Sequence, residues 1–311
     1  MTALSDLGPW RPGTRVALGC SGGADSTFLA HAWAAFAHGR DLTARALVVD
    51  HQQRPESAGD AERAAAAAEL LGIEAAVLVA LPEGGDENSL RQARYSTLEQ
   101  AMREAGETVL LLGHHADDQA ETVLLRILRG TGLRGLAGMA SRRLLAPGLE
   151  IRRPLLGLRA AGIRDWLRAE AVDWLEDPSN HQRAAAARNR LRLDALPALA
   201  SVQAGDPVRG LLHLAAEARD WEAARADLLA EGRAWTELPS YLRRQEIQDW
   251  LQQSGEKVSP ARTRDLERAL LARGRAGVRS GLELRLEAGR IPERGLGEES
   301  GPDPWPRRRS K

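Results

Sequence analysis

The tightest constraint in the chain is the heptapeptide Ser21-Gly22-Gly23-Ala24-Asp25-Ser26-Thr27. It stands between an apolar run, Arg15-Val16-Ala17-Leu18-Gly19, and a helical pattern from Thr27 to Ala37. Two adjacent glycines let the backbone turn tightly and approach a ligand with no Cβ in the way. In a strand–turn–helix setting, the amide N–H groups of the turn and of the helix N-terminus form an anion site. Ser21, Ser26 and Thr27 add hydroxyl donors. A plain βα turn with a Ser or Asp cap is the bland alternative, and the full SGGxDS string in this context weighs against it. The loop is not a Walker A motif, because it has no lysine for terminal phosphates, and it is not a Rossmann G-x-G-x-x-G.

The rest of the first half repeats the alternation of short β-rich runs with helical patterns, the signature of a parallel sheet covered by helices. Strands are expected at Arg45 to Val49, Ala75 to Leu81, Thr108 to Gly113 and, more polar, Leu149 to Leu155. Helices are expected at Gly59 to Leu71, Asn88 to Ala105, onward from Asp118, and Leu158 to Ala169. The predicted class is therefore α/β, with a parallel five-stranded sheet, helices on both faces and a smaller, mainly helical C-terminal domain. Ala204-Gly205-Asp206-Pro207 reads as a linker. Residues 1–200 then form the catalytic domain and 207–291 a mainly helical one, punctuated by Pro239 and Pro260. Gly281 to Leu286 alternates as a single strand, and the Pro-, Gly-, Arg- and Glu-rich tail 292–311 is expected to be disordered.

Composition excludes more than it selects. The 311 residues carry 43 basic and 43 acidic side chains, so net charge says nothing about partners. A nucleic-acid binder can be neutral overall when its basic residues gather on one face. No signal peptide is read at the start and no stretch reaches the roughly 18 apolar residues that span a bilayer. A cytoplasmic, non-membrane protein is the default expectation. Cys20 is the single cysteine, which excludes an internal disulfide and a four-cysteine metal or iron–sulfur site; it reads as a small buried residue.

A second cluster, Gly113-His114-His115-Ala116-Asp117-Asp118-Gln119-Ala120-Glu121-Thr122, falls at the carboxyl end of the fourth strand. Ligands of open α/β sheets bind outside those strand ends, so this cluster should share the crevice of the Gly-rich loop. Asp118 and Glu121 have the spacing of a helix capping box. Capping does not account for two His and two Asp side by side. Carboxylates there suit Mg²⁺ held against phosphates, and a His suits charge stabilisation or proton movement. Zinc fits less well, since no further Cys or His lies at ligand spacing. A third stretch, Trp174-Leu175-Glu176-Asp177-Pro178-Ser179-Asn180, leads to a basic run from Arg183 to Arg192, which alone reads equally as a solvated helix face.

In order, these motifs are joined by Asp50-His51, Arg54-Pro55-Glu56-Ser57, Glu87-Asn88, Ala93-Arg94-Tyr95, Arg129 to Leu136 and Arg153-Pro154-Leu155-Leu156. The set closely resembles the tRNA(Ile)-lysidine synthetase family of PP-loop ATP pyrophosphatases, with specific motifs from about residue 13 to 199. Gln52-Gln53 depart from the usual Gly-Leu after the Asp-His pair. The resemblance implies an ATP-dependent ligase forming a carbon–nitrogen bond: it adenylates C2 of the wobble cytidine of the tRNA(Ile) with a CAU anticodon. Free L-lysine then displaces AMP to give lysidine, which changes codon reading from AUG to AUA. ATP is the co-substrate and Mg²⁺ the metal. By motif position, Ser21, Gly22, Gly23, Ala24, Asp25 and Ser26 would bind ATP, and Asp25 and Asp118 would hold Mg²⁺. His114 and Arg190 would join those two carboxylates as catalytic residues. Arg188, Arg192, Arg243 and Arg244 are the candidate tRNA contacts, and a homodimer is left open. The chain is expected to lack the extra C-terminal domain of longer members.

Two rivals stand against this reading, a related PP-loop enzyme and a protein of a different class. A PP-loop tRNA thiolase would call for paired cysteines or an iron–sulfur cluster. A non-catalytic RNA-binding protein would carry a vestigial loop, against which the intact Ser21, Asp25, His114 and Asp118 argue.

Overall fold

Thr14–Cys20 forms the central strand β1, flanked in parallel by β2 (Leu42–Asp50) and β4 (Val109–Leu111). Alternation along β1 assigns its side chains to two different layers, as the period of two requires. Val16, Leu18 and Cys20 join one apolar cluster with Leu29, Trp33 and Phe36, Ala61, Ala64 and Ala68, and Ile163 and Leu167. Ala17 joins another with Leu47, Leu98, Met102, Leu110 and Ile151. A strand buried on both faces reads as a continuous apolar run, which is why Val16 to Leu18 was legible.

The structure, a computed structural model, describes residues 2–52, 56–81, 84, 87–176, 187–202, 205–230, 232–256, 259–279 and 281–292. Gln53, Arg54, Pro55, the Asp177 to Asn180 part of the acidic motif, Arg183 and the tail from residue 293 lie outside the described residues. The chain divides into two compact units, Met1–Arg219 and Asp220–Lys311.

The first unit runs α1 (Thr2–Asp6), β1, α2 (Ala24–Ala37), β2, α3 (Ser57–Glu69), β3 (Glu74–Val79), α4 (Glu87–Glu104) and β4. It continues through α5 (Ala116–Leu128), α6 (Leu133–Leu136), β5 (Arg142–Ala146), β6 (Leu149–Arg152) and α7 (Ala160–Ala169). Then come α8 (Ala187–Arg190), a π-helical turn at Leu191–Ala195, α9 (Leu196–Val202) and the start of α10 (Pro207–Ala230), within which the division falls. The sheet order is β3-β2-β1-β4-β6-β5. The chain builds outward from β1 through β2 to β3, then returns to the other side of β1. That reversal makes the crevice over the β1 and β4 carboxyl ends the expected ligand site.

The sheet has six strands where the sequence reading gave five. The extra one, β5, pairs antiparallel with β6 at the edge. Arg142-Arg143-Leu144-Leu145-Ala146 shows no alternation, and Leu144 is 71% exposed, so an edge strand of this kind leaves no periodic signal.

The second unit has its own core of Trp235, Leu238, Leu242, Ile247, Trp250, Leu266, Leu270 and Leu284. Its helices are α11 (Ser240–Gln253) and α12 (Pro260–Arg273), besides the end of α10. Both prolines punctuate as read: Pro239 is the N-cap of α11, and Pro260 opens α12 behind a Ser259 cap that accepts from the Arg262 amide. Gly274, at φ +67°, closes α12 in the left-handed conformation that glycine tolerates best. The single strand read at Gly281 to Leu286 is one arm of a hairpin, β7 (Arg275–Arg279) with β8 (Leu282–Arg285). Both arms alternate in burial, but β8 puts Leu282 and Leu284 at its inward positions whereas β7 puts Ala276 and Val278 around a glycine, so only β8 carried a strong apolar period in the sequence. No helix among the described residues is long and apolar enough to cross a membrane.

Candidate active site

The Gly-rich loop links β1 to α2 directly, with Gly23 as the N-cap of α2 and no side-chain cap. Its shape is fixed from three sides. Gly22 adopts φ +75°, and a Cβ there would lie 2.5 Å from Leu175 Cδ1 and 3.0 Å from Ala64 Cβ, so glycine is required. The Leu175 amide donates to the Gly22 carbonyl at 2.8 Å, so the start of the acidic motif clamps the loop. Inside the turn, the Ser26 hydroxyl accepts from the Ser21 amide at 3.1 Å and donates to the Gly23 carbonyl at 3.0 Å. Thr27 Oγ1 donates to the Gly22 carbonyl at 3.2 Å. These hydroxyls hold the loop in shape.

Across the crevice, Gly113 lies against Asp25: a Cβ on Gly113 would be 2.9 Å from the Asp25 carbonyl oxygen. Glycine at the end of β4 thus lets the two signature motifs meet. His115, buried at 3% exposure, is the hinge of the resulting cluster. Its Nε2 is 3.5 Å from both Asp25 Oδ2 and Asp118 Oδ2, and its Nδ1 is 3.7 Å from Asp117 Oδ2. Burial opposes its charge, but the three carboxylates outweigh burial and raise its pKa.

His115 also caps α5. Its Nδ1 accepts from the Asp118 amide at 3.3 Å, and Asp118 Oδ2 accepts from the His115 amide at 3.1 Å. The capping box is therefore His115 with Asp118, one turn earlier than the Asp118–Glu121 pair read from spacing. Glu121 is instead fully buried. Its Oε1 accepts from Arg192 Nε at 2.7 Å, and burial outweighs that guanidinium to raise its pKa. Asp117 is drawn away toward α7, where it accepts from the Ala160 amide at 2.7 Å and from Arg159 at 3.1 Å. Burial would raise its pKa; these bonds reverse the balance and lower it.

The candidate residues separate accordingly. Asp25 and Asp118 share one imidazole, and Arg192 reaches Asp118 at 3.6 Å. Arg190, at the end of α8, is exposed. His114 points elsewhere: burial, then the charges of Arg153, Arg94, Arg188 and Arg91, lower its pKa to about 3, so it is neutral at physiological pH. Arg243 and Arg244 both bind Glu267, at 2.9 and 3.1 Å. The roles of His115 and Glu121 went unread because each depends on a partner remote in sequence.

Asp25 Oδ1 is buried without a hydrogen-bond partner among the described residues. Mg²⁺ takes one or two carboxylates and completes its shell with phosphates and water, and Asp25 and Asp118 form a donor set of that kind.

The PP-loop domain family matches residues 2–199. A tRNA(Ile)-lysidine synthase from Rhodococcus erythropolis is 39% identical over 306 residues, covering 90% of this chain and 89% of that protein. One from Pseudomonas aeruginosa is 39% identical over 277 residues, 86% of this chain, of which the chain spans only 61%. Among solved structures, the U34-tRNA thiolase NcsA from Methanococcus maripaludis shares the fold, with TM-score 0.56 and 20% identity over 68% of this chain and 76% of that one. With its Gly-rich loop clamped over the switch point and relatives of this similarity along nearly its whole length, the chain belongs to the tRNA(Ile)-lysidine synthase family, built on the PP-loop domain.

Proposed function

We propose that the protein uses ATP to join free L-lysine to C2 of the wobble cytidine in the CAU anticodon of tRNA(Ile), releasing AMP and pyrophosphate. The observation that carries this reading is the junction of the PP-loop with the Asp25–His115–Asp118 cluster, in a chain of this family. The C2 oxygen attacks the α-phosphorus and pyrophosphate leaves. The lysine ε-amine then attacks C2, loses a proton, and AMP departs with the oxygen.

The amides around Gly22, Gly23 and Ala24 hold the phosphates, with Ser21, Asp25 and Ser26 shaping the pocket. Fixed donors aimed at developing charge need no reorganisation during reaction. Mg²⁺, when bound with ATP by Asp25 and Asp118, neutralises phosphate charge. Lysine enters as an ammonium and must shed a proton before it attacks. A carboxylate of the crevice takes that proton, and His114, buried and neutral with its pKa lowered to about 3, serves as a hydrogen-bonding group beside the activated base. Arg190 contacts the phosphate of the adenylate. Arg188 and Arg192 in the first unit contact the tRNA, with residues 207–291 gripping its body; Arg243 and Arg244, expected from the sequence to share that contact, are held by Glu267 and serve the second unit's own structure.

Pyrophosphate exchange into ATP, with and without tRNA, tests the first step, and mass spectrometry of the tRNA tests the second. Exchange dependent on tRNA, and a lysine adduct on the anticodon cytidine, are expected. Unmodified tRNA after incubation with ATP and lysine would falsify the assignment.

A further inference from the structure

A cluster of arginines lies on the α4 side of the crevice. Arg91, Arg94 and Tyr95 sit at i, i+3 and i+4 on α4, hence on one helical face. The guanidinium carbons of Arg91, Arg94 and Arg143 stand 5.0, 5.3 and 5.4 Å from the centre of the Tyr95 ring. Arg153, only 3% exposed, follows β6 and donates to the Ala140 carbonyl at 2.7 Å. Three separate elements thus place four guanidinium groups around one phenol. Among the described residues, none of Arg91, Arg94 and Arg143 forms an ion pair with a carboxylate.

Like charges converge in this way only at a cost, which an anion would remove. The polar atoms at the centre are left unsatisfied: Arg94 Nε, Arg153 Nε, Tyr95 Oη and His114 Nδ1 are all buried without a partner. A buried donor without a partner costs its full desolvation, so such atoms at one place point to a missing ligand. The field is also felt by neighbours. Burial opposes ionisation of Tyr95, yet Arg91, Arg94, Arg153 and Arg143 outweigh it and lower the phenol pKa. His114 follows Gly113, which packs on Asp25, so the cluster borders the crevice of the PP-loop.

We propose that Arg91, Arg94, Arg143 and Arg153, gathered about Tyr95 and His114, form a second anion subsite that takes a phosphodiester of the RNA strand carrying the target base. This rests on the reading of the protein as an RNA-modifying enzyme. Planar guanidinium forks match phosphate bidentately. A zwitterionic amino acid fits less well, because its ammonium would meet four positive charges. The PP-loop amides already provide for the phosphates of ATP.

Arg91→Gln and Arg143→Gln test the subsite in the full-length protein, since both side chains are exposed and come from different elements. Three affinities are measured for each: a short anticodon-loop RNA, an unrelated RNA of equal length, and ATP alone; the apparent KM for lysine is measured alongside. Each variant should weaken both RNAs roughly tenfold, as a lost charge-assisted bond would. The slope of log affinity against log salt should become shallower by about 0.7 per contact, the value for a single strand. ATP affinity and the lysine KM should stay at wild type. RNA binding and salt slopes equal to wild type in both variants would overturn the subsite, as would a loss confined to ATP or to lysine. If wild type makes no lysine-modified tRNA yet the variants still lose RNA affinity, the functional reading fails and the subsite stands. If modification proceeds and RNA affinity is untouched, the subsite alone fails.

Discussion

Two arginine clusters, one beside the crevice of the first unit and one in the second unit, do opposite work, although the first unit also pairs arginines such as Arg45 with Glu107 and Arg192 with Glu121. In the second, guanidinium groups are met by carboxylates: Arg225 by Glu222, Glu246 and Asp249, Arg243 and Arg244 by Glu267, and Arg279 by Glu256. In the first, Arg91, Arg94 and Arg143 crowd round one tyrosine without such a partner among the described residues. A paired arginine holds its own chain together, whereas a converged and unpaired set waits for a ligand. Composition treats both alike, since the 43 basic and 43 acidic residues cancel in the total. Pairing therefore separates structural charge from functional charge, and substitutions in the two clusters should fail in different ways.

The largest effect is expected at the loop. Asp25→Ala should cut ATP–pyrophosphate exchange by at least roughly 10²-fold, the scale for removing one preorganised electrostatic group. Its melting temperature should stay near wild type, because the side chain lies in the crevice. Full exchange activity, or an unfolded variant, would break the assignment of Asp25 to chemistry. Gly22→Ala should damage activity and stability together. Its φ of +75° and the 2.5 Å approach of Leu175 leave no room for a methyl group. A loss above about 1 kcal/mol is expected from backbone strain alone. A Gly22→Ala protein that melts like wild type would mean the Leu175 clamp yields easily.

The second unit should fail by unfolding. Arg243→Ala removes one of three hydrogen-bond partners from Glu267, whose side chain is 7% exposed, and should cost about 2 kcal/mol. Burial would raise the Glu267 pKa, but its bonds to Ser240, Arg243 and Arg244 prevail and lower it. A carboxyl depressed in the folded state stabilises above its unfolded pKa, and that stabilisation is lost as pH falls through the folded value. Melting of wild type should therefore decline on acidification below about pH 4.3, the usual glutamate value, and Glu267→Gln should blunt that dependence. An identical acid profile in the two proteins would refute the coupling.

How legible each region was follows from how local its physics is. The PP-loop, α2 and β1 were readable because the turn glycines, the strand and the helix are contiguous. The α12 caps, Ser259-Pro260 and Gly274, are equally local. The edge strand β5 was not readable, since an unburied face imposes no alternation. At α5 the i, i+3 spacing fits two caps, and only the fold, by placing His115 beside Asp25, chooses His115–Asp118. Arg192 reaches Glu121 across 71 positions, and the arginine cluster draws on elements far apart in sequence, so neither leaves a motif.

The smallest effect should come from Cys20, which separates shared fold from shared chemistry. The thiolase that shares this fold carries a [4Fe-4S] cluster, a site built on thiolate ligands. Cys20 directly precedes the PP-loop, close enough to invite a comparable role. Its environment argues otherwise. It is 8% exposed, packed with Val16, Leu18 and Ala64, and burial pushes its thiol up to about 12. A thiol there stays protonated at neutral pH, and the thiolate is the form that attacks or ligates. Cys20→Ala removes one small apolar contact and should cost roughly 1 kcal/mol, the centre of the range for single substitutions. Exchange activity should stay within about twofold of wild type, a change of less than 0.5 kcal/mol in barrier height. Native protein at pH 8 should also resist iodoacetamide, while the unfolded chain reacts. Rapid alkylation of the folded protein, or loss of activity in Cys20→Ala at unchanged melting temperature, would place a working thiolate beside the loop and return sulfur chemistry to this site.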